Sequence, residues 1–230
     1  MQKKNATKSI APKRHKVLVV DDHPMTRDGV AHLINKQPEL EVCADVGSPA
    51  EAFETIAKLR PDLVLTDMTM PGRSGLEFIK DLLAAHPTLV ILVLSMHDEA
   101  VYAERVLRAG ARGYIMKEAG GENLLTAIRR VLGGQVYLSE QMAAKILDNL
   151  SGQKPRGSHS PIQKLSDREF EIFQLIGQGK STRDIANELH ISPKTVDVHR
   201  SHIKEKLKLI DATSLIRHAV RWVESQEAKA

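Results

Sequence analysis

The residues of this chain best equipped for chemistry are Asp21, Asp22, Asp67, Ser95 and Lys117. Each closes or directly follows a short apolar run: VLVV at 17–20, LVLT at 63–66, VILVLS at 90–95 and GYIM at 113–116. If those runs are parallel strands of one sheet, their carboxyl ends share a rim, and open parallel sheets take their ligands there. Three carboxylates, a hydroxyl and an ammonium then converge. Carboxylates this close raise one another's pKa unless a cation sits among them. A hard divalent ion resolves the conflict, and Mg²⁺ fits because it accepts one or two carboxylates together with phosphate oxygens and waters. Any one of these residues could instead be a helix cap or a solvated strand end. Four strand ends loaded in this way together favour a site.

Positioning such a rim requires the strands to lie side by side. With EVCADV at 41–46 there are five β-branched apolar runs, separated by amphipathic stretches at 27–36, 49–59, 75–85, 100–109 and 121–132. That alternation predicts a parallel sheet with helices on both faces, a doubly wound α/β domain over 16–135. Another helix is expected at 139–150, followed by SGQKPRGSHSPIQ at 151–163, whose Gly, Ser and Pro content reads as a flexible linker, so 136–163 forms a helix plus linker. Beyond it, from 164 to 230, the strand signal vanishes. Four short helices fit at 167–176, 182–189, 193–207 and 212–224, the third opened by Ser192 as N-cap and Pro193 in its first turn.

The chain has 230 residues, 42% hydrophobic and 27% charged, which excludes wholesale disorder and fits two small domains. The longest apolar runs fall far short of the roughly 20 residues needed to span a bilayer. No secretory signal precedes the first strand, so a cytoplasmic protein is expected. Cys43, the single cysteine, can form no internal disulfide and reads as a core residue of a strand. Net charge is +4, distributed as +6 over residues 1–16, −4 over 17–163 and +2 over 164–230. Residues 1–15 thus read as a basic disordered arm, able to add salt-sensitive affinity for nucleic acid.

VLVVDDHPMTRDGV, LVLTDMTMPGRSGLE, LSMHDE and ARGYIMKE resemble the receiver domain of two-component response regulators, over residues 16 to about 135. The resemblance implies a flavodoxin-like five-stranded sheet. It also makes Asp67 the phospho-acceptor, with Asp21, Asp22, Asp67 and the backbone carbonyl of Thr69 holding Mg²⁺. Ser95 is then the switch hydroxyl, Tyr114 the switch aromatic, and Lys117 the lysine that contacts the phosphoryl group. A phosphoryl group would carry about two negative charges and draw Ser95 by hydrogen bonding. Glu118 follows Lys117 where many receivers have proline, so no cis-proline loop is assigned.

In the helical region, 182–189 and 193–207 are joined only by His190, Ile191 and Ser192, the length of a helix-turn-helix. On a helical wheel Val196, Ile203 and Leu207 form a core face, opposite Lys194, Val198, Ser201, His202 and Lys208. Arg200 lies at the core edge, within reach of an acid such as Glu169. LSDREFEIFQLIGQGKSTRDIANELHISPKTVDVHRSHIKEKLKL resembles the LuxR-type helix-turn-helix, and with a receiver the pair is similar to the NarL/FixJ family. The resemblance implies a second helix in the major groove of duplex DNA. Lys194 and Thr195 would anchor on phosphate, Val198 and Ser201 would face base edges, and His202, Lys204 and Lys208 would complete the contact. Leu215, Ala219, Val220 and Val223 form an apolar stripe on the last helix, which the resemblance suggests serves partly as the seam of a homodimer.

The expectation is a phospho-accepting transcription regulator, served by a sensor histidine kinase, rather than an enzyme. The alternative is a magnesium-dependent phosphohydrolase with Asp67 as covalent nucleophile. Such enzymes of the haloacid dehalogenase type place a general-acid Asp two residues later, where this chain has Thr69.

Overall fold

A computed structural model describes residues 14–70, 73–150 and 161–227. The elements of the first domain are β1 (His15–Val20), α1 (Pro24–Asn35), β2 (Leu40–Val46), α2 (Pro49–Leu59), β3 (Leu63–Thr66), β4 (Thr69–Met70), β5 (Arg73–Ser74), α3 (Gly75–Ala85), β6 (Val90–Ser95), α4 (Glu99–Arg108), β7 (Gly113–Met116) and α5 (Gly121–Leu132). Five parallel strands pair in the order β2-β1-β3-β6-β7. β1 to Val20 is buried from Val17 onward, which explains its unbroken apolar sequence. Alternate residues face opposite layers. Val17, Val19, Leu63, Leu65 and Leu92 pack with Ile34 of α1 and Leu124 and Ile128 of α5. Leu18, Val20, Val64, Ile91 and Val93 pack with α2, α3 and α4 through Ile56, Phe78 and Val106.

The chain turns back on itself between β1 and β3, so the switch of winding direction lies at their carboxyl ends. Just past β3, β4 and β5 form a two-residue antiparallel hairpin that the sequence pattern did not predict, because two residues are too few to show alternation. Its descent into α3 needs Gly75. A Cβ there would sit 2.4 Å from the Met68 carbonyl oxygen, inside any real contact.

α6 (Glu140–Leu150) follows, and then Pro161–Lys164, a single 3-10 turn with Ile162 buried. The linker expected to run to residue 163 therefore ends sooner: Ile162 is packed and Gln163 half-buried, and 151–160 lie outside the described residues. The helical domain comprises α7 (Asp167–Gly177), α8 (Thr182–Glu188), α9 (Pro193–Leu207) and α10 (Ala212–Glu227). Ser166, Ser181 and Ser192 each cap a helix by accepting a backbone N–H, the first two within complete capping boxes. His190 takes φ 53° in the turn between α8 and α9, a left-handed conformation that His tolerates better than most residues.

The two domains touch. α7 rests against α3 and α4, with Asp167 bound by Lys80 at 2.6 Å and by Arg105 at 3.2 Å. Arg105, only 7% exposed, also donates to the Ile162 carbonyl and lies 4.5 Å from the centre of the Phe170 ring. Arg168 bridges Glu77 of α3 and Glu171 of its own helix at 3.0 and 2.7 Å.

Candidate functional site

Backbone pairing sets the rim. Asp67 N–H donates to the Val20 carbonyl at 2.8 Å and Asp21 N–H to the Val46 carbonyl at 3.1 Å, so each acid is held by the strand beside its own. Both residues are buried, Asp21 2% and Asp67 5% exposed. Asp67 Oδ1 accepts from Met68 N–H at 2.6 Å and Thr69 N–H at 3.3 Å. Its Oδ2 accepts from Lys117 Nζ at 2.7 Å, and the same ammonium reaches Asp21 Oδ2 at 2.7 Å. Asp21 Oδ1 takes His23 N–H at 2.8 Å, and Arg27 donates to the Asp21 carbonyl at 2.6 Å.

One ammonium thus serves two buried carboxylates, with Asp22 beside them. Burial pushes the Asp67 carboxyl above its ordinary value and the Asp21 charge adds to this, against the pull of Lys117. Burial alone would depress the Lys117 ammonium, but its hydrogen bonds to Asp21 and Asp67 hold it above the usual lysine value. Asp21, Asp22, His23 and Asp67 offer ligand atoms within 4.8 Å of one another. His23 Nδ1 lies 2.8 Å from Asp22 Oδ1, yet the contact is not aligned as a hydrogen bond, leaving that buried oxygen without a donor. An excess of hard oxygen donors over cations, with one oxygen unsatisfied, fits a divalent metal.

Ser95, Tyr114 and Thr69 complete the rim. Ser95 is fully buried, and its Oγ accepts from His97 N–H at 3.2 Å. Tyr114, equally buried, donates its hydroxyl to the His97 carbonyl at 2.8 Å, and burial raises its pKa well above that of a free phenol. The exposed Thr69 places Oγ1 2.6 Å from His97 Nε2. His97 therefore contacts Ser95, Tyr114 and Thr69 together, a placement not legible in the sequence, where it is only the histidine of LSMHDE.

On α9, Val196 and Ile203 are wholly buried, while Lys194, Val198, Ser201 and His202 are exposed and Lys204 is half-buried; Lys208, also exposed, lies just past the helix as its left-handed C-cap. The first domain meets α7 through Lys80, Tyr102 and Arg105, and the outward side of α9 stays exposed. Thr195 is half-buried, with its hydroxyl 2.7 Å from Ser192 Oγ in the N-cap. Two expectations need correction. Arg200 donates to Thr182 Oγ1 at 2.7 Å; the partner of buried Glu169 is Lys206, at 2.6 Å. Leu215 and Ala219 have no exposure and Val223 is half-buried, because α10 packs on α7 so closely that a Cβ on Gly177 would lie 2.5 Å from the Ala219 carbonyl. Leu215 and Ala219 are core and offer a partner nothing; half-buried Val220 is followed outward by Ile216, 44% exposed.

Glu169, His199 and His202 also bring ligand atoms within 4.8 Å of one another. There the carboxylate already has Lys206 and the Ser166 N–H, so no charge is left over for a cation.

Residues 17–129 match the family model of the response regulator receiver domain, and 163–219 that of the bacterial regulatory proteins of the luxR family. Oxygen regulatory protein NreC of Staphylococcus carnosus (strain TM300) is 35% identical over 210 residues, covering 90% of this chain and 97% of that protein. NreC of Staphylococcus aureus (strain MRSA252) is 36% identical over the same shares. Among solved structures, RcsB from Salmonella enterica serovar Typhimurium, bound to promoter rprA in the presence of phosphomimetic BeF3⁻, superposes with a TM-score of 0.71. At 22% identity, over 90% of this chain and 99% of that one, this is a likeness of fold. The chain belongs to the NarL/FixJ family of two-component response regulators, transcription regulators rather than enzymes, in which a receiver domain is joined to a LuxR-type DNA-binding domain.

Proposed function

We propose that a sensor histidine kinase phosphorylates Asp67 and that the aspartyl phosphate controls the binding of duplex DNA by α9. The observation that carries this is the shared ammonium: Lys117 Nζ stands 2.7 Å from both Asp67 and Asp21, ready to pass to a third oxyanion. An Asp67 oxygen attacks the phosphorus of a phosphohistidine, the P–N bond breaks, and the imidazole leaves with the bonding pair. Mg²⁺, held by Asp21, Asp22, Asp67 and the Thr69 carbonyl, supplies neutralisation of the phosphoryl oxygens when bound. Lys117 follows the new charge, and Ser95 donates its hydroxyl to a phosphoryl oxygen.

In the second domain, Lys194 and Thr195 anchor α9 on phosphates, Val198 and Ser201 face base edges, and His202, Lys204 and Lys208 add contacts along the groove. Val198, 47% exposed at the surface of a small domain, suits contact with a thymine methyl. The DNA-bound form is a homodimer, whose half-sites lie about 10 bp apart or a multiple of it. Its seam uses the outward side of α10 around Val220 and Ile216. The expected seat of this function is the cytoplasm; no described helix is long and apolar enough to cross a membrane.

The test is DNA binding with and without phosphodonor. Asp67→Ala should abolish the phosphorylation-dependent gain, while Lys194→Ala should weaken binding to all sequences and lower the salt slope by about one. Undiminished activation of the Asp67→Ala chain would remove the proposal.

A further inference from the structure

His97 lies between the two domains. On one side its N–H donates to Ser95 Oγ, its carbonyl accepts from Tyr114 at 2.8 Å, and its Nε2 lies 2.6 Å from Thr69 Oγ1. On the other side its ring stacks on Tyr102 of α4, with centroids 5.0 Å apart and planes 26° apart. Tyr102 in turn meets the DNA-binding domain twice. Its ring meets Phe170 of α7 in a T-shaped contact with centroids 5.3 Å apart, and its hydroxyl accepts a hydrogen bond from Gln174 of the same helix. Beneath these contacts a cavity of about 710 Å³ opens between the domains, lined by Thr69, His97 and Tyr102 from one and Phe170 and Gln174 from the other. It leaves space beside the β6–α4 loop, residues 96–98, which carries His97.

We propose that His97 is the positioning residue that couples the phospho-acceptor rim to the DNA-binding domain, by holding Tyr102 against Phe170 and Gln174 until Ser95 is drawn to the phosphoryl group. This rests on the phosphorylation of Asp67 proposed above. Three of the four contacts of His97 are with residues of the rim that a phosphoryl group would enter, Ser95, Thr69 and Tyr114. Ser95 turns its hydroxyl inward, and Thr69 flanks the acceptor itself through its N–H. Tyr114 reaches Ser95 as well as the His97 carbonyl with its hydroxyl. A displacement of the loop that breaks the stack frees Tyr102, whose contacts with α7 then lose their support. Because the outward side of α9 is already exposed, the receiver controls the orientation of the helix-turn-helix through α7 rather than by covering the reading helix.

The test is hydrogen exchange on the full chain, with Mg²⁺ and with or without beryllofluoride as the phosphoryl mimic. In the parent chain beryllofluoride should raise exchange of the α7 amides several-fold. In His97→Ala the α7 response should disappear, while the response of peptides around Asp67 persists. An α7 response in His97→Ala equal to the parent's, or none in a parent chain that responds around Asp67, overturns the coupling. No response around Asp67 in the parent chain overturns the phosphorylation reading instead. Should His97→Ala fail to fold by circular dichroism, Gln174→Ala answers from the other side: it should raise α7 exchange before beryllofluoride is added and shrink the further increase. An unaltered α7 profile in that variant also overturns the coupling.

Discussion

Two buried carboxylate sites in this molecule use a lysine, and they differ in arithmetic. At the receiver rim Lys117 divides its ammonium between Asp21 and Asp67, and Asp22 stands by with an oxygen to which no donor is aligned. In the helical domain Glu169 has Lys206 to itself, and Oε2 also takes the Ser166 N–H at 2.7 Å. The carboxyl pKa values diverge accordingly. Asp67 is raised, by burial first and the Asp21 charge beside it. Burial pushes the Glu169 carboxyl up as well, but its bonds to Lys206 and Ser166 outweigh this and pull it below the ordinary glutamate value. A charge-balanced site is finished, and its work is to tie α7 to α9. An unbalanced one stores a demand for cations and is poised for a new oxyanion to be bound with them.

The largest expected effect comes from removing the lysine at the unbalanced site. Lys117→Ala leaves two buried carboxylates without a counter-ion and should cost about 3–5 kcal/mol in chelator, as measured by urea unfolding. Added Mg²⁺ should recover part of this. Lys206→Ala should cost less, about 2 kcal/mol, because Ser166 still donates to Glu169. That loss should be indifferent to Mg²⁺, and a Mg²⁺ effect there would erase the distinction between the two sites.

The smallest effect is in the pH dependence. Glu169, depressed in the folded chain, contributes stability that is present above its unfolded value of about 4.3 and is lost as pH falls through the lower folded value. Between about pH 5 and 3 the helical domain should therefore lose stability, and Lys206→Ala should flatten that slope. Asp67, raised in the folded chain, has the opposite sign: its contribution is present below its unfolded value and is lost as pH rises through the folded one. Parallel slopes in domain-resolved unfolding would contradict the contrast.

The rim was legible in the sequence because strand ends are. An apolar run of four to six residues announces a buried parallel strand, and the residue following it has one place to be; β3, β6 and β7 begin and end where the pattern put them. α9 was legible because Ser192 and Pro193 mark its start and its two faces differ in polarity. The α10 stripe was only partly legible for a physical reason: an apolar face shows that something covers it, without showing which of its residues α7 takes, and α7 takes Leu215 and Ala219. The contact between domains was illegible for a related reason. Tyr102, Phe170 and Gln174 are ordinary residues of ordinary amphipathic helices, and only the docking of α7 on α4 gives them a shared role. Arg105 gives no warning either, since a buried arginine and a solvated one look alike until Asp167 and Phe170 are brought to it.

The central claim is that the unbalanced rim accepts a phosphoryl group on Asp67. The measurement that tests it most directly is intact-mass spectrometry after incubation with Mg²⁺ and acetyl phosphate, comparing the parent chain with Asp67→Ala. One phosphoryl group should appear on the parent chain and none on the variant. Equal incorporation into both, or none into the parent chain, would contradict the assignment of Asp67 as the acceptor.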